Sequence, residues 1–245
     1  MELNAKPYLQ GIDLKREKII DLNIFPFLIP TIQNLDYLAF HPDVTFFVGE
    51  NGTGKSTLIE AIAGALGLNP EGGNKNTMFA TEKTHSSLSE YLKVFRSFRK
   101  PQDYYFLRAE SFYNVATYMD NLVPPPIQGY GGKSLHKQSH GESFMATIQN
   151  KLKGNGLYIM DEPEAALSPN RQLEALSLIH QLVQNHSQLI IATHSPILLA
   201  YPNAKIYHFG QSGIHETTYE DTEHFEITKN FLNRYRQMLD ILMED

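Results

Sequence analysis

The pattern GENGTGKS at residues 49–56 constrains this chain more than any other feature of its sequence. An apolar run from Asp43 to Val48 precedes it, and apolar side chains recur at helical spacing from Lys55 to Leu66. A GxxxxGKS loop placed between a strand and a helix surrounds nucleotide phosphates with backbone N–H groups and the positive end of the helix dipole. We therefore predict a phosphate-binding loop with these contacts: Gly49, Asn51, Gly52, Thr53, Gly54, Lys55 and Ser56. Lys55 is expected to reach the β and γ phosphates, and Ser56 to coordinate Mg²⁺.

Two acidic residues end the apolar run LYIMDE at residues 157–162. A parallel sheet presents the carboxyl ends of its strands to bound ligand, so this position suits metal binding and catalysis. We predict that Asp161 holds Mg²⁺ and that Glu162 polarises the attacking water as general base. Without the phosphate loop, the same pair would be read as two solvated acids at the start of a turn.

The other periodicities predict an α/β fold with a mostly parallel sheet. Buried-strand patterns occupy Leu157–Met160 and Leu189–Ala192, and Pro169–Val183 has helical spacing between them. The tail adds an antiparallel β portion around the turn GQSG and an amphipathic helix from about Glu226 to Met243. We expect a single domain, residues 1–245, with residues 67–138 as a small inserted helical subdomain.

Composition restricts the class of protein. Of 245 residues, 42% are hydrophobic and 20% charged, as in an ordinary folded protein. The net charge of -6 argues against a surface that binds polyanions as a whole. With no cysteine, disulfides, thiolate zinc sites and cysteine nucleophiles are excluded. No secretory signal or run of about 20 apolar residues is present, so we expect a cytoplasmic protein that meets a membrane only through a partner.

Three further motifs follow in a fixed order: SHGESF (139–144), EAALSP (164–169) and ATHS (192–195). They resemble, in this order, the signature, the D-loop and the switch histidine of ABC-class ATPases. The loop at 49–57 and MDEP at 160–163 resemble the Walker A and Walker B motifs of the same class. The chain looks most like small stand-alone bacterial predicted ATPases of that class, often labelled AAA family ATPases and related to the SMC and RecF branch. This resemblance implies a P-loop NTPase fold with an ABC-ATPase-type core, ATP and Mg²⁺ as ligands, and hydrolysis of ATP to ADP and phosphate.

The resemblance also implies roles for single residues. Ser139 and Gly141 would bind the γ-phosphate of ATP held by a second copy, which implies a head-to-tail homodimer with two composite sites. His194 would touch the γ-phosphate as the switch histidine, and Thr57 would lie near the α-phosphate. Glu110 in RAESF would replace the usual Q-loop glutamine and contact Mg²⁺ or its water. The sequence does not indicate whether the partner or substrate of such a dimer clamp is a protein or a nucleic acid.

Two departures from the family pattern keep alternatives open. Transporter signatures usually read LSGGQ, whereas residues 138–142 read QSHGE, and the Q-loop position carries the negative charge of Glu110. Ser139 followed by Glu142 is also a capping box, which any helix start can use. The main alternative is the nucleotide-binding subunit of an ABC transporter, which shares every ATP motif, and a DNA-repair or defence ATPase is a further one.

Two other readings are less favourable. Lys93, Arg96 and Arg99 would share one face of a helix over Tyr91 to Lys100, a pattern more typical of a solvated stripe than of a nucleic-acid surface. An SMC-like chain with long arms is excluded: 139 minus 55 leaves 84 residues, which limits two helices to roughly 60 Å each at about 1.5 Å per residue.

Overall fold

A six-stranded sheet forms the centre of the protein. The computed structural model describes residues 6–77 and 86–244. In spatial order the strands are β5 (Asp103–Arg108), β6 (Gly156–Asp161), β7 (Gln188–Ala192), β3 (Val44–Gly49), β8 (Lys205–Gly210) and β9 (Gly213–Thr217). The first five are parallel, and β9 returns antiparallel to β8 around the predicted GQSG turn. The predicted α/β class, with a mostly parallel sheet and an antiparallel portion, is confirmed.

The central strands bring the predicted motifs to one edge of the sheet. Every residue of β3, β6 and β7 is buried, as expected for parallel strands covered on both faces. The phosphate loop follows β3, the acidic pair ends β6, and His194 follows β7. In the register of the sheet, Ala192 pairs with both Phe47 and Asp161. These three strand ends are therefore direct neighbours.

Helices and a small sheet cover the two faces of the central sheet. The helices are α1 (Pro30–Gln33), α2 (Lys55–Ala65), α3 (Leu88–Tyr91), α4 (Phe112–Asn121), α5 (His140–Lys151), α6 (Pro169–Gln184), α7 (Pro196–Leu199) and α8 (Glu223–Met243). One buried core packs α4, α5, α6 and α7 against the sheet, and a second packs α2 and the small sheet against the opposite face. Alternation along β3 divides its side chains between them: Phe46 belongs to the first core and Phe47 to the second.

The basic segment from Tyr91 to Lys100, predicted as a helix, instead contributes a strand to a small sheet. It is antiparallel, in the order β2 (Leu38–Ala39), β1 (Leu9–Leu14), β4 (Leu92–Arg96). Lys93 and Arg96 thus lie exposed on a strand, not on one face of a helix. Val94 and Phe95 favour a pleated surface, and pairing of β4 with β1 satisfies the backbone that a helix would have satisfied internally.

The segment 67–138, predicted as an insertion, contributes to both sheets. It supplies β4 to the small sheet and β5 to the edge of the central one. Its helical part consists of α3, α4 and two short 3-10 turns, Ile127–Tyr130 and Leu135–Lys137, which lead to α5. Residues 78–85 of this segment lie outside the described residues.

The C-terminal helix α8 lies on the protein rather than inside it. Thr222 caps its start, and the backbone at Arg234 interrupts its regular geometry. None of its described residues is buried, although apolar side chains such as Ile227 and Leu232 recur along it. Neither α8 nor any other helix in the described ranges is long and apolar enough to span a membrane.

Candidate nucleotide-binding site

Two glycines shape the loop between β3 and α2. Gly49 has φ of +144°, and a Cβ there would lie 2.3 Å from the carbonyl oxygen of Phe209 on β8. Gly54 has φ of +96° and directly precedes α2. Both positions therefore need glycine. The first N–H groups of α2 have no acceptor within the helix, and no described side chain caps its N-terminus. They remain suitable donors for an anion.

Lys55 folds back over this loop. Its Nζ donates to the carbonyl oxygens of Gly49 and Glu50, each at 2.8 Å, and the residue is only 4% exposed. Burial lowers the pKa of Lys55, while the negative charges of Glu162, Asp161 and Glu164 act in the opposite direction. The ammonium thus lies within the electrostatic field of the acidic residues at the end of β6 and directly after it.

Ser56 and Asp161 meet across the site. The Ser56 hydroxyl donates to Asp161 Oδ1 at 3.1 Å, and Asp161 is 4% exposed. Burial raises the pKa of Asp161 to about 6, against the effects of Arg108 and of the Ser56 hydrogen bond. A hydroxyl and a carboxylate supply the oxygen ligands that Mg²⁺ prefers, and Mg²⁺ in phosphate sites takes few protein ligands. The pair fits the metal that the sequence predicts.

Arg108 is the principal cation beside Asp161. It ends β5 in register with Asp161, and its Nε lies 3.5 Å from Asp161 Oδ2. Its Nη1 donates to Glu60 at 3.0 Å and its Nη2 to Glu110 at 2.7 Å. Glu110 is 80% exposed, and its charge contributes to the raised pKa of Asp161. The structure therefore places Glu110 beside Arg108 at the rim of the site.

Glu162 and His194 face each other at the ends of β6 and β7. Glu162 has a left-handed backbone, with φ of 48° and ψ of 52°, an uncommon conformation outside glycine. Its N–H donates to the Ala192 carbonyl at 2.9 Å, and its Oε1 lies 3.6 Å from His194 Nε2. Burial lowers the pKa of His194, as does the nearby charge of Lys55, whereas Glu162 and Glu164 raise it.

The histidine is held from two further sides. Glu164 of the EAALSP segment accepts from the His194 N–H and from the Thr193 hydroxyl. His194 Nδ1 lies 2.9 Å from Nε2 of His224 on α8. A cleft of about 540 Å³ opens here, lined by loop residues Glu50 and Asn51 and by α8.

Ser139 and Gly141 lie elsewhere, at the start of α5. Among the described residues, the side chain of Ser139 hydrogen-bonds to Glu142 and not to the phosphate loop, Asp161 or His194. Ser139 N–H and hydroxyl both donate to Glu142 Oε2, at 2.9 and 2.8 Å, which confirms the capping box. A Cβ on Gly141 would lie 2.8 Å from the Ala166 carbonyl oxygen. The signature segment thus packs against the EAALSP segment.

Among the remaining loop residues, Thr53 is held by local hydrogen bonds. The Thr53 hydroxyl donates to the Glu50 carbonyl at 2.8 Å, and the Thr53 carbonyl accepts from the Thr31 hydroxyl. Asn51 and Gly52 are exposed on the tip of the loop, and Thr57 is half-buried in the first turn of α2.

Sequence reasoning missed Arg108, Glu60, Glu164 and His224. Arg108 had a usable signal, because it directly follows the apolar and aromatic run YYFL at residues 104–107, and the carboxyl ends of parallel strands are where ligand binds. Glu164 lies inside a motif that was recognised without a role for this carboxylate. Glu60 and His224 carry no local signal, since their function comes from contacts between separate elements.

Comparison with known proteins finds relatives of similar sequence. A family model described as an AAA domain matches residues 22–120. A putative ABC transporter ATP-binding protein of Bacillus thuringiensis is 23% identical over 180 residues, covering 66% of this chain and 32% of the relative. The chain thus spans about a third of the length of that relative. An uncharacterized ABC transporter ATP-binding protein of Haemophilus influenzae is 25% identical over 239 residues, covering 86% of each chain.

Two solved structures are also similar. The SMC head domain from Thermotoga maritima is 14% identical, covers 86% of this chain and 98% of its own, and has a TM-score of 0.45. The structure of cbiO1 from Clostridium perfringens, part of the ABC transporter complex cbiONQ, is 18% identical, covers 83% and 90%, and has a TM-score of 0.49. The relatives named as ABC transporter ATP-binding proteins, together with the match to an AAA domain, confirm the resemblance of this chain to ABC-class ATPases.

Proposed function

We propose that this chain is an ATPase that binds ATP with Mg²⁺, hydrolyses it to ADP and phosphate, and works as an ATP-driven homodimer clamp. The observation that carries the proposal is the convergence of four predicted groups at adjacent strand ends. Ser56 and Asp161 are hydrogen-bonded at 3.1 Å, and Glu162 and His194 face each other at 3.6 Å. Lys55 lies in the electrostatic field of both acids.

Each group has a distinct task in this reaction. The loop from Gly49 to Thr57, including Asn51, Gly52, Thr53 and Gly54, surrounds the phosphates, and Lys55 moves from its two carbonyl partners to the β and γ phosphates. Ser56 and Asp161 hold Mg²⁺, which when bound neutralises charge on the phosphate oxygens. Glu162 takes the proton of the attacking water, and His194 donates to the γ-phosphate. Glu110, which pairs with Arg108, would contact Mg²⁺ or its water.

The clamp depends on Ser139 and Gly141 of a second copy. At the start of α5, Ser139 is exposed and Gly141 is half-buried. Their approach to a partner's γ-phosphate requires Ser139 to exchange its bonds to Glu142 for phosphate oxygens. A polar cleft of about 330 Å³ beside them contains Lys133, Lys137 and Arg171. These cations offset the carboxylate of Glu142 as the anion approaches.

The test is Glu162→Gln, which removes the general base while keeping the shape of the side chain. Hydrolysis should fall by about 10²- to 10⁴-fold, while Asp161 still holds the metal and ATP still binds. Blocked hydrolysis then shifts the population toward the ATP-bound dimer. Light scattering with Mg²⁺ and ATP should report twice the mass of the same variant without nucleotide, if the resting protein is a monomer.

A control variant and a second readout complete the experiment. Glu162→Gln combined with Lys55→Ala should stay in the resting state because it cannot retain ATP. If the resting protein is already dimeric, spin labels near Ser139 and the phosphate loop of the other copy must approach each other instead. If a variant shown to bind ATP gives neither response, the clamp is refuted and the protein is a monomeric nucleotide-binding module.

A nucleotide-binding subunit of an ABC transporter is the second candidate, because relatives are named as ABC transporter ATP-binding proteins. Co-purification with a membrane permease would favour it. Capture of a soluble protein or a nucleic acid by the ATP-loaded Glu162→Gln variant would favour a stand-alone clamp, including a DNA-repair or defence role. For the clamp we propose the cytoplasm as its location and a membrane only through a partner.

A further inference from the structure

His224 on α8 is joined to the switch position by a single short contact. Its Nε2 lies 2.9 Å from His194 Nδ1, and the two rings are 5.1 Å apart between centroids. His194 Nε2 on the opposite side of that ring is buried and has no hydrogen-bond partner among the described residues. It points toward the Glu162 carboxylate at 3.6 Å, where the γ-phosphate is expected.

One of the two nitrogens in the contact must carry the proton and the other must accept it. If His194 Nδ1 were the donor, its Nε2 would present a lone pair to the Glu162 carboxylate, a repulsive arrangement. Nδ1 of His224 would then carry a buried hydrogen with no described partner. Buried N–H groups without acceptors are rarer and more costly than acceptors without donors.

The opposite arrangement satisfies these requirements. His224 donates through Nε2–H to His194 Nδ1, and the proton of neutral His194 resides on Nε2, facing Glu162. The Nε2–H of His194 then faces the negatively charged Glu162 carboxylate at 3.6 Å, and Nδ1 of His224 is left as an acceptor without a partner among the described residues. Which nitrogen of a functional histidine carries the proton is set by the hydrogen bond that the other nitrogen makes.

The charges around the pair are compatible with this arrangement. Lys55, Glu162 and Glu164 face His194, and Lys55, Glu223 and His208 face His224. Burial lowers the pKa of both imidazoles, which favours their neutral forms. A protonated His224 would still donate through Nε2, so the direction of the bond does not depend on its charge.

We propose that His224 is a positioning residue that fixes His194 as an Nε2–H donor and thereby links helix α8 to recognition of the γ-phosphate. The proposal rests on the proposed function, because His194 is taken as the group that contacts the γ-phosphate. It adds a role for α8, whose residues Glu223, His224, Ile227 and Thr228 line the cleft beside the phosphate loop.

The first test measures the protons directly. The protein without nucleotide is labelled with ¹⁵N in its histidines, and long-range ¹H–¹⁵N spectra assign the protonation of each His194 nitrogen at pH 7.5. We expect Nδ1 without a proton and Nε2 with one. A proton on Nδ1 would overturn the proposal, whatever the protein does with ATP.

The second test separates positioning from structural support. His224→Leu removes the donor, and His224→Gln returns an amide N–H at about the position of Nε2. His224→Leu should weaken ATP binding about fivefold, equivalent to about 1 kcal/mol for one hydrogen bond, and leave ADP binding unchanged. His224→Gln should restore most of the ATP affinity and the Nε2–H form of His194.

His180→Leu is the matched control, because it breaks another histidine hydrogen bond, to Tyr201 at 3.1 Å, away from the cleft. It should change neither affinity. Equal losses of ATP and ADP affinity in His224→Leu, with the His194 spectrum unchanged, would show that His224 only anchors α8 and would overturn the proposal. Failure of the wild-type protein to bind ATP would instead contradict the proposed function, while the spectra still decide the protonation of His194.

Discussion

Asp161→Asn should make the protein more stable at neutral pH while removing its response to magnesium. Burial raises the pKa of Asp161 from its ordinary value of 3.8 to about 6. A group whose pKa is raised on folding favours the folded state below its unfolded value and loses that contribution as pH rises through the folded one. At pH 7.5 the wild-type protein therefore carries an ionised carboxylate that folding disfavours.

The magnitude follows from the two pKa values. A rise from 3.8 to about 6 corresponds to about 3 kcal/mol of destabilisation by the ionised form. Asparagine keeps the acceptor for Ser56 but turns an N–H group toward Arg108 Nε, a conflict that costs about 1 kcal/mol. Arg108 retains Glu60 and Glu110, so its own charge stays paired. The net gain is about 2 kcal/mol, or roughly 4–8 °C in Tm for a chain of this length.

Thermal unfolding between pH 4 and 8, with EDTA, measures the difference. The advantage of Asp161→Asn should be largest above pH 7 and should shrink as pH falls below 6, where the wild-type carboxyl protonates. Asp240→Asn, which changes an exposed carboxylate on α8, is the control and should show no such pH dependence. A variant no more stable than wild type at pH 7.5 would refute the argument that burial, rather than pairing with Arg108, dominates at Asp161.

The other predictions concern the phosphates. Lys55→Ala should remove measurable ATP binding in a fluorescent-nucleotide titration, because the principal mobile cation on the β and γ phosphates is lost; unchanged affinity in a folded variant would mean that the loop is not the site. Ser139→Arg should abolish hydrolysis and leave binding by the single chain nearly intact, because a bulky side chain obstructs closure onto a partner. Equal loss of binding and turnover would contradict a composite site.

Local patterns predicted the elements that follow from hydrophobic periodicity and loop chemistry. The helix after the phosphate loop, the buried strands ending at Asp161 and Ala192, and the hairpin at the tail all lie within a few residues of their predicted positions. Their order also predicted that Ser56 and Asp161 would meet, because parallel strands end at one edge. The same reasoning failed for β4, within residues 67–138. This strand pairs with β1, nearly 80 residues earlier, and the pattern of neighbouring residues does not reveal such a pairing.

The contacts missed by sequence reasoning are those made between elements that are distant in sequence. Arg108 reaches Glu60 on α2, 48 residues away, and His224 reaches His194, 30 residues away. Neither pair has a spacing that secondary structure would favour. Their functional significance depends on which nitrogen or oxygen faces the site, and only the packed fold determines that.

Several groups assigned to ATP already have protein partners, and this has a consequence for binding. Lys55 is bound to two loop carbonyls, Ser56 to Asp161, and Ser139 to Glu142. Phosphate and metal must replace these contacts one for one, so the net gain from each new hydrogen bond is smaller than its strength in isolation. His194 Nε2 differs, because it makes no hydrogen bond to the described residues and faces the Glu162 carboxylate at the longer distance of 3.6 Å. Its bond to a γ-phosphate replaces only this longer contact, and ADP, which lacks that phosphate, cannot provide it. Discrimination between ATP and ADP should therefore depend on His194, and through it on His224, more than on Lys55.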